Sequence, residues 1–378
     1  MKIVYFTKTT EIGPSSRYRV YQFLPHLRAS GIDCVVYPLF GSTYYKLLEM
    51  RSTTLRVMGK VVYTMVRFVK RGLDLLFIWS ADLVVIEGQL FPYFPATAER
   101  VLVGMKWKVV VELDDAIYLT RWHQRKVQAL LKLSTAAIVG NQTLATYSRS
   151  FATTVSVVPT VVDTERFKPS DHIPDRSPCM RPSLTLVWVG LACNLRYLKP
   201  IRTVLRELQQ SEGIRFLVIS SRPPTLPGVE VEFMPWTFEA EVIALQQCQI
   251  GIMPLPDDEW ARGKCGLKLL QYMAVGLAAV ASPIGVNREI ITHGQNGFLA
   301  GTIDDWYYCL VCLCRNAELR VKLGQAARST VESRYSLNVW SHRLALEYRT
   351  LALKEKKVGT LQALWNGRSK NSSISSTK

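Results

Sequence analysis

Short apolar runs alternate with amphipathic segments along most of this chain. The runs predict parallel strands at residues 2–6, 32–37, 82–86, 108–113, 136–139 and 155–158, and again at 184–189, 216–219, 229–233, 249–253 and 277–281. Helical periodicity fills most of the intervals, and three helices follow near 304–315, 317–333 and 337–356. The alternation predicts an α/β fold with two Rossmann-like domains whose strand ends face each other across a cleft.

The domain boundary is predicted from composition. Residues 168–183 are rich in proline, serine and charge, which is typical of a linker. We assign an N-terminal domain to 1–170, a linker to 171–183, a C-terminal domain to 184–335, a helix crossing back to the first domain to 336–360, and a disordered tail to 366–378.

Residues 51–71 predict a basic amphipathic helix. Arg56, Lys60, Arg67 and Arg71 share one face, and no acidic residue occurs between positions 51 and 73. Two interpretations stay open. The helix lies in an anionic membrane interface, or it packs its apolar side on the first sheet.

Charge and cysteine content restrict the class of protein. The 378 residues carry a formal net charge of +17, which is divided as +8 over residues 1–175 and +9 over the rest. This even spread favours a phosphorylated substrate or an anionic surface, and no motif indicates specific nucleic-acid binding. No signal peptide or membrane span is visible, and the eight scattered cysteines fit a cytoplasmic protein without a metal site.

The candidate chemistry centres on residues 262–287. Gly263 and Gly266 precede an apolar helix that Gly276 ends, and the unpaired N–H groups of a helix N-terminus attract anions. Arg262, Lys264 and Lys268 add three cations within seven residues. The pattern predicts a phosphate or diphosphate site; the alternative is a solvated basic turn.

Acidic residues stand at the predicted edge of the first sheet. Asp114 and Asp115 follow a buried strand, at the carboxyl edge where open α/β sheets bind ligands. The loop after the first strand lacks the G-x-G-x-x-G fingerprint, so a dinucleotide cofactor is disfavoured. A helix begins near Arg17, with Ser15 or Ser16 as its N-cap. Arg17 and Arg19 either face the cleft or are a solvated helix start.

Four separated segments resemble one family. GPSSRYRVYQFLPHL, VVVELDDAIYL, SVVPTVVDTERFKP and GLKLLQYMAVGLAAVASPIGVNREII with the following GQNGFL are similar, in this order, to segments of GT-B-fold glycosyltransferases of family 4, also called group 1. The resemblance extends from about Ile3 to Tyr348 and is to a branch with the signature G-K-C-G-L-K-L-L-Q-Y-M. It departs at two family glutamates, whose positions hold Gly263 and Gln271.

The resemblance implies a retaining, metal-independent transfer of a sugar from a nucleotide-diphosphate sugar to a glycan or lipid-linked acceptor. It implies a role in surface polysaccharide or lipopolysaccharide biosynthesis, in the cytoplasm or on the inner face of the cytoplasmic membrane. The residues assigned on this basis are catalytic Asp114, Arg262 and Lys264; donor-binding Gly190, Asn194, Arg196, Trp236, Cys265, Gly266, Lys268 and Gln271; and acceptor-side Ser15, Ser16, Arg17, Arg19 and Asp115. No cofactor or metal is predicted.

Three alternatives are weighed against the transferase. The missing glutamates allow a non-catalytic nucleotide-sugar-binding protein of the same fold. The basic surface alone allows salt-sensitive, non-specific nucleic-acid binding. A GT-B sugar epimerase is disfavoured by the GPSSR loop.

Overall fold

Two parallel sheets of six strands each form the frame of the protein, in a computed structural model that describes residues 1–50, 52–170 and 184–353. The strands of the first sheet are β1 (Lys2–Thr9), β2 (Asp33–Phe40), β3 (Leu83–Glu87), β4 (Val109–Leu113), β5 (Ala136–Val139) and β6 (Val155–Val157). Those of the second are β7 (Thr185–Val189), β8 (Arg215–Ser220), β9 (Glu232–Pro235), β10 (Ile250–Met253), β11 (Ala278–Ala281) and β12 (Phe298–Leu299). The orders are β2-β1-β3-β4-β5-β6 and β12-β11-β10-β7-β8-β9.

The predicted α/β fold is confirmed. All eleven predicted strands are present within three residues at each end, and β12 is an additional short strand. Their apolar runs predict them well because strands covered on both faces, such as β3, β4 and β7, are buried along their whole length. The predicted linker 171–183 and tail 366–378 lie outside the described residues, and the domain boundaries stay predictions.

Helices cover both faces of each sheet. They are α1 (Pro14–Arg19), α2 (Leu24–Ala29), α3 (Ser42–Glu49), α4 (Thr53–Asp74), α5 (Thr97–Gly104), α6 (Gln124–Leu133), α7 (Gln142–Arg149), α8 (Arg202–Glu212), α9 (Phe238–Gln246), α10 (Glu259–Arg262), α11 (Leu267–Ala274), α12 (Asn287–Ile290), α13 (Ile303–Arg315), α14 (Ala317–Arg334) and α15 (Leu337–Leu353). Four 3-10 helices lie at Tyr21–Phe23, Leu75–Phe77, Ile117–Leu119 and Ala192–Ile201.

The last helix packs on the first sheet although it follows the second in sequence. Leu344, Tyr348 and Leu351 of α15 are buried in one apolar cluster with Ile3 and Val110 of β1 and β4. The Tyr348 ring meets the Tyr5 ring edge-on, with their centroids 6.1 Å apart. Covering both faces of the first sheet therefore requires the C-terminal end of the chain.

The first helix begins earlier than predicted. Pro14 opens α1 after Gly13, so neither Ser15 nor Ser16 is the N-cap. Proline suits this position because its fixed φ matches the helix and its missing N–H would have had no partner. A second proline, Pro25, lies in the first turn of α2 after a 3-10 turn, which divides the predicted single helix in two.

The amphipathic helix α4 packs on the first domain through its polar face, whereas the second interpretation predicted packing through its apolar side. Its polar face lies on the first domain: Arg71 is 1% exposed and donates to the Thr7 carbonyl, and Arg67 donates to the Leu39 and Pro38 carbonyls. Its apolar face is exposed instead. Arg67 and Arg71 therefore donate to backbone carbonyls of the first sheet, and these two side chains are not free to attract an anionic membrane.

Candidate active site

The carboxyl ends of the two sheets meet across a narrow cleft. The Asn141 side-chain amide, at the start of α7, donates to the carbonyls of Gly263 (2.9 Å) and Lys264 (3.1 Å) in the second domain. The Cys265 thiol donates to the Asp114 carbonyl at 3.1 Å. The loop before α11 is therefore held directly against the loop after β4.

Two glycines make this approach feasible. A Cβ on Gly263 would lie 2.6 Å from the Ala116 Cβ, and one on Gly140 would lie 2.2 Å from the Cys265 Sγ. Gly266 is the N-cap of α11 and has a φ of 73°, a left-handed conformation that glycine adopts without strain.

A lysine and two aspartates face each other in the cleft. The Lys264 Nζ lies 3.9 Å from the Asp115 Oδ1, and its side chain is 16% exposed. The Tyr197 and Trp260 rings surround the amine at 5.9 and 6.0 Å. Burial, with the Asp114 charge next, raises the pKa of Asp115 to about 6, while Lys264 opposes the rise. The structure thus brings Asp114, Asp115 and Lys264 into one site.

A second lysine, Lys268, lies near Lys264. The Lys268 Nζ is 4.1 Å from the centroid of the Trp188 ring, and a Cβ on Gly190 would lie 2.5 Å from that nitrogen. A larger residue at position 190 would therefore have to displace the Lys268 amine from this position. Burial, with the charge of Lys264 next, lowers the pKa of Lys268 to about 7. The amines of Lys264 and Lys268 are thus both placed near the start of α11, where an anion could bind.

Two buried glutamates below the aspartates were missed by the sequence analysis. Glu87 accepts from the Ser16 hydroxyl at 2.7 Å and the Lys8 N–H at 3.2 Å, and burial, with the Asp114 charge next, raises its pKa to about 7. Glu112 is 2.5 Å from the Arg19 Nε, in a pair whose side chains are 2% exposed. The rule that selected Asp114, the carboxyl end of a buried strand, selects Glu87 equally.

Several predicted site residues have other partners in the structure. Ser16 and Arg19 are buried and bound to the two glutamates, and Arg19 also donates to the Val158 carbonyl, so neither side chain is a solvated helix start or exposed to an acceptor. Arg17 is also buried: its guanidinium stacks on the ring of the predicted donor residue Trp236 at 4.6 Å. Ser15 is half-buried beside it.

The predicted donor-binding residues differ in whether the structure leaves their side chains available to a ligand. Gln271, assigned to donor binding, is 2% exposed, and its amide donates to the Tyr18 hydroxyl (2.9 Å) and the Glu241 carboxylate (3.0 Å). Arg262 is half exposed and pairs with Asp257 at 2.7 Å, on the outer side of the loop, which does not suit the catalytic role assigned to it. Arg196 is exposed next to half-buried Asn194, where both remain open to a ligand.

Comparisons with known proteins agree with this geometry. Two facing parallel sheets with a cation-bearing loop at the start of a second-domain helix are typical of the GT-B fold. Residues 184–316 match the family model described as glycosyl transferases group 1. No curated protein sequence matches the chain.

Several solved structures share the fold of this chain over more than nine-tenths of its length. Sucrose-phosphate synthase (tll1590) from Thermosynechococcus elongatus superposes with a TM-score of 0.69 at 13% identity, covering 93% of this chain and 99% of that one. A glycosyltransferase from Rickettsia africae ESF-5 gives 0.67 at 13% identity, with 94% and 99% covered. Anabaena Alr3699/HepE in complex with UDP-glucose gives 0.64 at 14% identity, with 93% and 100% covered.

Proposed function

We propose that this glycosyltransferase moves a sugar from a nucleotide-diphosphate sugar to a glycan or lipid-linked acceptor, without a metal ion and with retention of anomeric configuration. The observation that carries the proposal is the position of Lys264 and Lys268 at the start of α11, opposite Asp114 and Asp115. HepE, a structural neighbour, is bound to UDP-glucose, which supports a nucleotide sugar as donor.

The two walls of the cleft carry groups with different roles in the transfer. When the bond between sugar and diphosphate breaks, negative charge grows on the leaving diphosphate. Lys264, Lys268 and the first N–H groups of α11 are fixed donors for that charge, in the place where other enzymes use a divalent cation. Asp114 and Asp115 are on the opposite wall, where a carboxylate can orient an acceptor hydroxyl or balance a developing positive charge on the sugar.

We further propose that the product is a surface polysaccharide or lipopolysaccharide precursor made on the inner face of the cytoplasmic membrane. Among the described residues, no helix has the length and apolar character needed to cross a membrane.

A non-catalytic nucleotide-sugar-binding protein is the second candidate. It is favoured by Gln271 and Gly263, which stand where the family's two glutamates are expected and which the domain contacts already occupy. Both candidates predict donor binding, and only the first predicts turnover.

A two-stage experiment tests the proposal. A thermal-shift screen of nucleoside diphosphates and nucleotide sugars identifies the donor, because any ligand of the native state raises the midpoint by mass action. Release of the nucleoside diphosphate is then measured with glycan and lipid-extract acceptors, and the anomeric configuration of the product is determined by NMR. Absence of a stabilising nucleotide overturns the transferase; binding without release under every acceptor supports the second candidate.

A further inference from the structure

The apolar side of α4 is uncovered along its length. Its six most central outward side chains are between 52% and 68% exposed: Val61, Val62, Met65, Val66, Val69 and Leu73. The strip continues past the helix, where Phe77 and Trp79 are 65% and 70% exposed. A contiguous apolar surface of this extent, about 33 Å long for 22 residues, is uncommon on a monomer and indicates a binding surface.

The polar side of the helix explains why the strip is fixed outward. Arg67 and Arg71 donate to carbonyls of β1 and β2, and the Tyr63 hydroxyl accepts from the Gly41 N–H at 3.0 Å. Turning the apolar side inward would leave the buried carbonyls of Thr7 and Pro38 without these donors, at a cost comparable to lost buried hydrogen bonds. The orientation is therefore part of the fold.

The strip is continuous with the acceptor side of the cleft. Phe68 of α4 packs edge-on against Phe94, with ring centroids 5.4 Å apart, and the adjacent Tyr93 lies 5.0 Å from His123. His123 is close enough to Lys8 that this lysine helps lower its pKa, after burial, and Lys8 acts on Asp115 in the same way. A path of aromatic side chains thus leads from the strip towards the catalytic wall.

We propose that the outward face of α4, with Phe77 and Trp79, inserts into the headgroup region of an anionic lipid bilayer. An amphipathic helix lies in the plane of such an interface with its apolar face buried about 5–10 Å, and tryptophan is favoured at that depth. A lipid-linked acceptor held in the same bilayer would then meet the cleft at Asp115; this last step alone rests on the proposed function.

Charge favours a bilayer over a second copy of this chain. Residues 41–108, which include α4, contain ten basic and five acidic residues, and the whole chain carries +17. Arg67 and Arg71 bind carbonyls of the first sheet, but the other eight basic residues still outnumber the five acidic ones. Two copies joined through the strip would bring surfaces of the same sign together, whereas an anionic bilayer has the opposite sign. A bilayer and a second copy would both bury the apolar strip, so the difference in electrostatic attraction favours the bilayer.

Vesicle sedimentation tests this proposal without any sugar donor. The purified full-length chain is spun with phosphatidylcholine vesicles, with or without phosphatidylglycerol. The test variant is Val62→Glu/Val66→Glu. The control is Ile243→Glu/Leu346→Glu, which adds the same charge at positions 58% and 65% exposed on α9 and α15. All four positions are exposed, so the thermal midpoints should stay close to that of the parent chain.

We expect the parent and the control to sediment with phosphatidylglycerol vesicles and the test variant to bind at least about tenfold more weakly, because two carboxylates must enter the interface. Equal binding of test and control variants would overturn the proposal, as would a parent chain that stays in the supernatant. A parent dimer that Val62→Glu/Val66→Glu converts to a monomer, without vesicle binding, would assign the strip to a second copy. Nucleotide-induced stabilisation of the test variant separates this result from failure of the proposed function.

Discussion

The affinity for a nucleoside diphosphate should depend on pH through Lys268. Its amine is half-buried above the Trp188 ring and near Lys264, and its pKa is about 7 in the free protein. The ring favours the charged form, but burial and the neighbouring cation outweigh it. Only the protonated amine attracts a diphosphate, so binding should take up a proton above pH 7.

The size of the effect follows from this pKa. The protonated fraction of a group with a pKa of about 7 falls from about 0.91 at pH 6 to about 0.09 at pH 8, so the apparent Kd should rise about tenfold over that range. The sign is fixed because the bound anion raises the lysine pKa. The complex therefore holds more protons than the free protein above pH 7, and affinity declines as the pH rises.

Calorimetric titration from pH 6 to pH 9 measures this directly, with UDP, ADP and GDP as probes. Two buffers of different ionisation enthalpy reveal the proton uptake. Lys268→Met is the matched control, because it keeps an unbranched apolar stem over Trp188 and removes the amine. Its remaining pH dependence belongs to the ligand. If Lys268→Met and the parent chain show the same dependence, Lys268 does not contact the diphosphate.

Four further predictions concern the same cleft. Lys264→Ala should weaken nucleotide binding and slow transfer by about 10²–10³, whereas Asp114→Asn should lower kcat and leave nucleotide affinity nearly unchanged; full activity of Asp114→Asn would remove its catalytic role. Nucleotide affinity should survive EDTA, and a loss restored by Mg²⁺ would overturn the metal-free mechanism. Because Glu87 has its pKa raised from 4.5 to about 7 on folding, its ionisation should lower the free energy of unfolding by about 3 kcal/mol as the pH rises through that window. In denaturant titrations at pH 5 and pH 8, Glu87→Gln should remove most of that amount from the total fall, while Asp115, whose pKa is raised to about 6, keeps its own contribution. Gly263→Ala should destabilise the chain by about 1–3 kcal/mol, and Ala116→Gly should restore part of that loss, since the two Cβ atoms would be 2.6 Å apart; an unchanged midpoint for Gly263→Ala would show that the loops separate freely.

The positions of the strands and the sheet edge proposed for the site follow from local pattern. Apolar runs predict buried parallel strands, and left-handed glycines such as Gly31 and Gly276, both with a φ of 77°, end the helices where expected. The carboxyl-edge rule placed Asp114 and the loop before α11 in one cleft because it depends on topology alone.

Side-chain partners at long sequence separation could not be predicted in this way. Arg19 and Glu112 are 93 positions apart, and nothing local to either shows that burial will join them. The orientation of α4 is a similar case. Its periodicity separates an apolar face from a polar one, but the choice between them depends on carbonyls of β1 and β2, more than 25 positions away. Glu87 could have been predicted from the sequence, because it stands at the carboxyl end of a buried strand, as Asp114 does.

The two missing glutamates have one structural explanation. At position 263 a side chain would displace Ala116, so an acid there requires the two domains to separate. At position 271 the Gln amide donates to Glu241 at 3.0 Å in a buried site, where a glutamate would instead place two carboxylates in contact. Both positions thus belong to the contact between the domains. Restoring either acid alone should disrupt that contact, and this leaves Lys264, Lys268 and the first-domain aspartates as the charged groups that face the cleft.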